Sequence, residues 1–486
     1  MVRRAVILAM VVIVGVSPQV LGATWNVPSG NVSQLYNAVN SCASGDVISV
    51  ADGVYNLWST GLRMDVPNVT LRGASRDGVR LVGGGMNVNG GCQEDILVEA
   101  DNVTLESLTV EECYYNLIHI RGESDVDGTV IRNVKTLNAG ERHIKCSRLN
   151  RSITSDNVLI ENVYMLQTKP VAAPHPNVNY VGGIDAMVAN NWTIRDCRAE
   201  GIIGGGGGGN AGIFLWNGVT NCTIERNVII GCGKGIAVGN PSNPDGTWHA
   251  SGGIVRNNFI VRAGGFDNIG IELCDTQNLK VYNNTVYSAD AGYFRAAHIY
   301  GPYTANLDSR YNIIRGQVLL NGATWSAVGN LTGATPQPGW FADPAGGNLR
   351  LTEAATLAIN HGASLAQVIA DWDGLTRDAQ PDIGADEFGL PAADANLDGL
   401  VDHNDLGLLA VNYRAATGAS WAMGDFNFDD RVDYLDLGIL AAWYRFGTTG
   451  GEVAAGGEPI PEPMSLLLLA LGLPALLLRR GRRVAL

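Results

Sequence analysis

Charge is scarce in this chain: Asp, Glu, Lys and Arg make up only 16 % of its 486 residues. That is too little for a disordered polyelectrolyte, and 62 glycines set the chain apart from an ordinary α/β enzyme. Positive charge is the scarcer sign, 33 basic residues against 47 acidic, for a net charge of −14. Without the six arginines of the two chain ends it falls to about −20. Such a surface argues against nucleic acid and anionic membranes as partners, whereas a local basic cleft still suits an anionic sugar. No CxxC pair occurs among the eight cysteines (Cys42, Cys92, Cys113, Cys146, Cys197, Cys222, Cys232, Cys274), which argues against a zinc knuckle. No Gly-Lys-Ser/Thr follows the run Gly204 to Gly209, so those glycines supply a flexible loop and not a phosphate cradle.

Long apolar runs are confined to the ends. Arg3 and Arg4, the run Ala5 to Val16 and a small residue at Gly22 or Ala23 read as a secretory signal over residues 1–23. The second run, Met464 to Leu478, lies between Pro461-Glu462-Pro463 and Arg479, Arg480, Arg482 and Arg483. At ~1.5 Å per residue it spans roughly 22 Å, short for a ~30 Å hydrocarbon core. The arginines stay cytoplasmic by the positive-inside rule, leaving the body outside. The P-E-P, apolar run and basic end over 461–486 resemble the PEP-CTERM sorting signal of Gram-negative bacteria. The resemblance implies recognition and cleavage by a membrane protease, an exosortase; a plain membrane anchor is the alternative. The expected location is the cell envelope, its surface or beyond, after transient residence in the inner membrane. Export permits disulfides. Cys113, Cys197 and Cys274 nevertheless sit beside β-prone triplets, where a free thiol is a good core residue. Core stacking is expected, with Cys42–Cys92 and Cys222–Cys232 as candidate bridges.

The body repeats. Val69-Thr70-Leu71, Val103-Thr104-Leu105, Val130-Ile131, Val158-Leu159-Ile160, Trp192-Thr193-Ile194, Cys222-Thr223-Ile224, Ile254-Val255 and Leu279-Lys280-Val281 recur at solenoid spacing. Behind most comes an amide or acid: Asn133, Asn162, Asp196, Asn227, Asn257, Asn283 and Asn312. A coil of short strands cannot bury its inner face alone, whereas stacked coils share one core. Asn tolerates left-handed dihedrals at a corner and can bond the Asn one coil above, so these residues are read as fold devices. Val32 to Cys42 reads as an amphipathic helix, followed by Gly45-Asp46-Val47-Ile48-Ser49-Val50 and Ala51-Asp52-Gly53-Val54-Tyr55. This resembles the N-terminal cap of right-handed parallel β-helix proteins. Asp371-Trp372-Asp373-Gly374, Arg377 and Pro381 to Glu387 resemble a terminal motif of bacterial members. The resemblance implies an all-β solenoid over residues 24–390 with capping segments at both ends, and it leaves function open.

Residues 391–447 change character. Asp394, Asn396, Asp398, Leu400 (through its carbonyl), Asp402 and Asp405 occupy positions 1, 3, 5, 7, 9 and 12 of an EF-hand-like loop. Asp425, Asn427, Asp429, Arg431 (carbonyl), Asp433 and Asp436 repeat it. Helices are expected at Leu406–Tyr413 and Leu437–Tyr444, and two calcium ions as cofactors. The tandem loops, ending in Asp with Val401 and Val432 at position 8, resemble a type I dockerin, which implies a cohesin-like partner. Asp430 stands where that pattern has Gly, and His403-Asn404 and Tyr434-Leu435 replace its small hydroxyl pairs, so calcium-dependent folding is the firmer implication. A Gly-rich linker, 448–460, precedes the sorting tail.

Exported solenoids often act on polysaccharide in a cleft along one stacked face. In a lyase a cation neutralises the uronate carboxylate while a base takes the C5 proton. The densest cationic cluster is Glu141-Arg142-His143-Ile144-Lys145, where alternation predicts Arg142 with Ile144 on one face and His143 with Lys145 on the other. Lys169 and His175 follow in an insertion, then Asp185, His249, Glu272, Arg295 and His298 on later coils. The catalytic candidates are therefore His143, Lys145, Arg142, Lys169, Asp185, His249, Arg295 and His298; neighbouring coils lie ~4.8 Å apart, so one groove can hold them. Arg142 to Lys145 faintly resembles the Arg-Ile-Lys of polygalacturonases, but that family's partner motifs are absent, as is the Asp-rich pattern of pectate lyases. The expectation is a protein that acts on or binds polysaccharide, as a lyase on acidic glycans before a hydrolase. The alternative is a non-catalytic surface, matrix or scaffolded binding protein.

Overall fold

The structure, a computed structural model, describes residues 22–444 except 205–210, 243–245, 263, 265–267, 324, 390–392, 397–399, 416–417 and 427–430. The expected signal up to residue 21, the expected linker and sorting tail, most of the Gly204–Gly209 run, Asp398, Asn427 and Asp429 lie outside the described residues. No helix among those described is long and apolar enough to cross a membrane.

Each coil contributes strands to three long parallel faces. The first runs from Thr24–Val27 to Trp325–Val328, the second from Gly53–Asn56 to Leu331–Gly333, and the third comprises ten strands from Leu62–Met64 to Val318–Asn321. The repeated triplets pair in register, one coil per step. Their central apolar residues (Leu71, Leu105, Ile131, Ile160, Ile194, Ile224, Val255 and Val281) form an inward column, all at most 1 % exposed. Burying each such side chain is worth roughly 1.5–3 kcal/mol, so the stack supplies the core that no single coil has. On the outside of the same strands runs a column of alternating charge: Arg72, Glu106, Arg132, Glu161, Arg195, Glu225 and Arg256. Ion pairs join Arg72 and Arg132 to Glu106, Arg195 to Glu161, and Arg256 to Glu225.

The asparagines divide into two roles. The bend between the first and second faces is made by left-handed residues Ser107, Asn133, Asn162, Asp196, Arg226, Asn257, Asn283 and Tyr311. Asn227 and Asn312, expected at that bend, stand one position later and point inward. There Asn227, Asn258, Asn284, Asn312 and Asn330 form an amide ladder with Nδ2–Oδ1 distances of 2.9, 2.9, 3.0 and 2.9 Å. Each amide also meets backbone groups, as Asn258 does at Ile224 O (3.0 Å) and Asn227 N (3.1 Å), so buried polarity is satisfied coil by coil.

Helix α1 (Val32–Ser41), N-capped by Asn31, lays Leu35, Ala38 and Val39 over the first coil. Residues 338–388 pack along the outer side of the second face, where Phe259 stacks on Trp372 (4.3 Å) and Arg377 bonds Glu387 (2.8 Å) and the Ala385 carbonyl (2.8 Å). All eight cysteines are free. Neither expected bridge forms: Cys222 and Cys232 are separate core residues of one coil, their thiols donating to Ala189 O and Ala199 O (both 3.6 Å), and the half-buried Cys42 donates to Val39 O (3.3 Å). Helices α2 (His403–Asn412) and α3 (Tyr434–Trp443) begin earlier than expected, because Asp402 and Asp433 serve as N-caps and close capping boxes with Asp405 and Asp436.

Candidate functional site

The third face carries most of the candidate residues. Four of its strands contain Gly-Ile-X: Gly183-Ile184-Asp185, Gly212-Ile213-Phe214, Gly235-Ile236-Ala237 and Gly270-Ile271-Glu272. The isoleucines are core, and X falls in an outward column running His119, Lys145, Asp185, Phe214, Ala237, Glu272, His298. Glycine is required because the coils close in: a Cβ on Gly183 would sit 2.1 Å from the Gly212 carbonyl oxygen.

At one end of the column Asp185 is fully buried, its Oδ2 accepting from Arg142 Nε (2.6 Å) and pairing with Lys145 Nζ (3.0 Å), its Oδ1 accepting from Trp216 Nε1 (2.9 Å). Burial opposes its ionisation, but the Lys145 and Arg142 cations and the Arg142 and Trp216 hydrogen bonds outweigh it and hold the carboxyl at about 2. The Arg142 guanidinium also lies 3.5 Å from the Tyr180 ring centroid. At the other end Glu272 pairs with Lys234 and accepts from Tyr300 Oη (3.0 Å), and His298 stacks on Tyr300 at 4.1 Å. Burial lowers the His298 pKa, with a smaller opposing pull from Glu272. Neither His298 ring nitrogen has a hydrogen-bond partner among the described residues. Burial and the Glu272 charge push Tyr300 far up, so its phenol stays protonated. Between the clusters Phe214 and Trp216 stack in parallel (5.5 Å, 6°) beside the small Ala211 and Ala237.

The ring pair, Lys234, Ala237, Glu272 and two loops, 176–180 (with Tyr180) and 240–242, line a cleft of 570 Å³; the Asp185 cluster and His298 lie behind that lining at its two ends. The 176–180 wall is pinned by His175, which donates from Nε2 to Tyr114 O (2.9 Å) and accepts at Nδ1 from Asn177 N (3.1 Å). Asn177 in turn donates to Glu141 Oε1 (2.6 Å).

Arg142, Lys145 and Asp185 thus converge at one cluster and Glu272 and His298 at the other. The remaining candidates, Arg295 apart, lie elsewhere. His143 points into the core, bonded to Thr136 Oγ1 (2.9 Å) and Gln167 Oε1 (3.1 Å), with burial holding its pKa down at about 4. Strict alternation fails here because the strand's second and third residues, His143 and Ile144, both face inward, as Leu117 and Ile118 do one coil earlier, which puts Arg142 and Lys145 together on the outward side, Arg142 covered there by Tyr180. His249 is buried, accepting from Asn217 N (3.1 Å) beside Trp216. Lys169 pairs with Glu112 away from the cleft lining, whereas Arg295, over Phe294 (5.1 Å), belongs with the His298 cluster, where its charge adds to burial in lowering the His298 pKa. Phe214, Trp216, Lys234, Tyr180 and Tyr300 were missed; aligning the Gly-Ile-X repeats exposes the first two directly.

In the C-terminal module the position 1 and 12 carboxylates of both loops (Asp394 and Asp405, Asp425 and Asp436) are at most 2 % exposed. Asp405 accepts from Ala395 N and Asp402 N (both 2.8 Å), and Asp436 from Phe426 N and Asp433 N (both 2.8 Å). Two buried carboxylates in an all-oxygen donor set fit a hard dication.

No family model matches the chain, and no curated protein matches it. Among solved structures, pectate lyase Pel9A is 15 % identical over 75 % of this chain and 96 % of its own, with a TM-score of 0.53. An alginate lyase from Paenibacillus sp. str. FPU-7 is 15 % identical over 64 % and 98 % (TM-score 0.46). PfbA, a surface adhesin of Streptococcus pneumoniae, is 12 % identical over 64 % and 91 % (TM-score 0.34). The first likeness establishes a shared parallel β-helix fold.

Proposed function

We propose that this is an exported β-helix protein that binds an acidic polysaccharide across the third-face cleft and cleaves it by β-elimination. The observation that carries the reading is the Phe214–Trp216 ring pair set in one cleft between two cation-bearing clusters. Flat rings suit the apolar face of a sugar, and Lys145 and Lys234 suit a uronate carboxylate on either side. His298 lies beside the cleft-lining Glu272 with its ring nitrogens buried, so the reading requires substrate to open a path to it; its neutral imidazole then accepts the C5 proton, the C–H electrons form the C4–C5 double bond, and the C4–O bond breaks. The leaving oxygen takes a proton from the Tyr300 phenol, and solvent resets both groups. The fold similarity to a lyase supports the scaffold; the assignment rests on the cleft.

The parallel crossovers are taken as right-handed, as nearly all are. Two calcium ions are assigned to the dockerin-like module, at Asp394, Asn396, Asp398, Leu400, Asp402 and Asp405 and at Asp425, Asn427, Asp429, Arg431, Asp433 and Asp436, with a cohesin-like partner. Export by the N-terminal signal and cleavage of the tail by an exosortase-like protease complete the reading.

A non-catalytic binding platform is the second reading, favoured by the pairing of both lysines with carboxylates. Incubation of the purified protein with a panel of uronic-acid polymers separates the two. Lyase action produces ultraviolet absorbance from the unsaturated product; retention of a polymer without that absorbance supports the platform. Neither on any polymer rejects the cleft as a glycan site.

A further inference from the structure

The corner leading into the third face's second strand, remote in chemistry from the cleft, brings together Cys92, Asp95 and Cys113. All three are at most 1 % exposed, and their Sγ and carboxylate atoms lie within 4.8 Å of one another. Each thiol has a carbonyl nearby: Cys92 Sγ donates to Glu94 O (3.0 Å) and Cys113 Sγ to Cys92 O (3.0 Å). Asp95 is different. Among the described residues neither of its carboxylate oxygens has a hydrogen bond of ordinary geometry, and the Cys92 and Cys113 thiols are the polar groups that interact with it. The position is deliberate in its packing, because only a glycine at 83 leaves room for the carboxylate: a Cβ there would sit 2.0 Å from Asp95 Oδ1. A carboxyl buried beside two thiols either keeps its proton or shares a cation with them, and the two sulfurs supply a metal-binding partner set.

We propose that Cys92, Cys113 and both oxygens of Asp95 form a structural zinc site. Two thiolate sulfurs and a two-oxygen carboxylate make a four-donor set of the borderline-soft kind that zinc favours over calcium or magnesium, and closed protein-only coordination marks a structural site. The ligands come from a loop (Cys92), a strand (Asp95 in Glu94–Val98) and the link between Thr104–Glu111 and Asn116–Ile120 (Cys113), separated by up to 21 positions, so the ion staples two coils. The staple reaches the cleft. Tyr114, next to Cys113, accepts from His175, and Asn87, in the loop ending at Cys92, accepts from Ala172 N (2.9 Å). Both contacts hold the insertion whose far end forms the 176–180 wall.

The test is a cobalt titration of the reduced full-length protein in saturating calcium, so that the oxygen-only loops are filled. One equivalent of Co²⁺ is expected to give an intense thiolate-to-metal charge-transfer band and tetrahedral visible bands, both abolished by one equivalent of Zn²⁺. The double variant Cys92→Ser/Cys113→Ser should lose the band, Cys197→Ser should keep it, and Asp95→Asn should weaken zinc affinity roughly tenfold or more. Absence of the band in the reduced wild-type protein overturns the proposal, and that result needs no variant to fold. A Cys92–Cys113 disulfide in protein recovered from the exported fraction overturns it equally.

Discussion

Replacing Asp185 by Asn should destabilise the protein in a way that depends on pH, because the carboxylate is shared by a fully buried Arg142 and a nearly buried Lys145. Its carboxyl is held at about 2, against 3.8 for an unperturbed aspartate. A gap of nearly two pH units is worth about 2 kcal/mol of stability. The folded value is the lower one, so this contribution is complete above about pH 5 and disappears as pH falls through about 2, with roughly half left at pH 3. Stranding Arg142 without its anion brings the total at pH 7 to about 3–5 kcal/mol. Urea unfolding of wild type and D185N, followed by tryptophan fluorescence from pH 7 to pH 2.5, measures both parts. The difference should be largest at neutral pH and narrow by about 2 kcal/mol over the acid range. A difference that stays constant with pH, or a variant within ~0.5 kcal/mol of wild type at pH 7, would refute the argument that Asp185 is an ionised, compensated anion.

Trp216→Ala should leave the coil stack intact and weaken retention of a uronic-acid polymer in affinity electrophoresis by roughly tenfold, since one aromatic stacking face is lost; unchanged retention would move the sugar site off the ring pair. His298→Gln should lower the elimination rate by about 10²–10⁴-fold with little change in KM. Because burial lowers the His298 pKa, the wild-type rate should hold its plateau on the acid side past the ordinary histidine value, and a fall centred at or above that value would point to another base. Calcium removal should unfold the C-terminal module alone: Trp421, whose Nε1 donates to the Asp394 carbonyl (2.6 Å), should change fluorescence while the coil stack keeps its melting temperature. Asp405→Ala should reduce the calcium stoichiometry from two to one by calorimetry, and full stoichiometry in that variant would contradict the ligand assignment.

The coils were legible in the sequence because every turn of a solenoid repeats one packing problem, so Leu105, Ile131, Ile160 and Ile194 recur with the coil spacing. The asparagines misled because two needs, a left-handed bend and a buried amide, occupy adjacent positions: Asn257-Asn258 and Asn283-Asn284 fill both, Arg226-Asn227 and Tyr311-Asn312 only the second. Arg142, Lys145 and Asp185 could be found by charge density. Their grouping against His143 could not, since period-2 alternation has no term for two successive inward residues inside a strand. Phe214 and Trp216 read as core residues until the Gly-Ile-X frames are aligned, and Lys234 carries no local signal because its partner, Glu272, lies 38 residues away. The early start of α2 and α3 was available in the Asp-x-x-Asp spacing, which forms a capping box at the positions expected to bind calcium.

The alternating column on the first face gives the stack a parity. From Arg72 to Arg256 each turn opposes the sign of its neighbours, so excising the single turn that bears Glu161 would set Arg132 directly against Arg195. Excising that turn together with the next would return Arg132 to a glutamate, Glu225. Like charges in contact destabilise a strand pair while opposite ones support it, so this part of the molecule can be lengthened or shortened smoothly only in steps of two turns. Coil-number variants with even and odd changes should therefore fall into two classes of stability, and a duplication history written in pairs is the only one the surface charge would leave undisturbed.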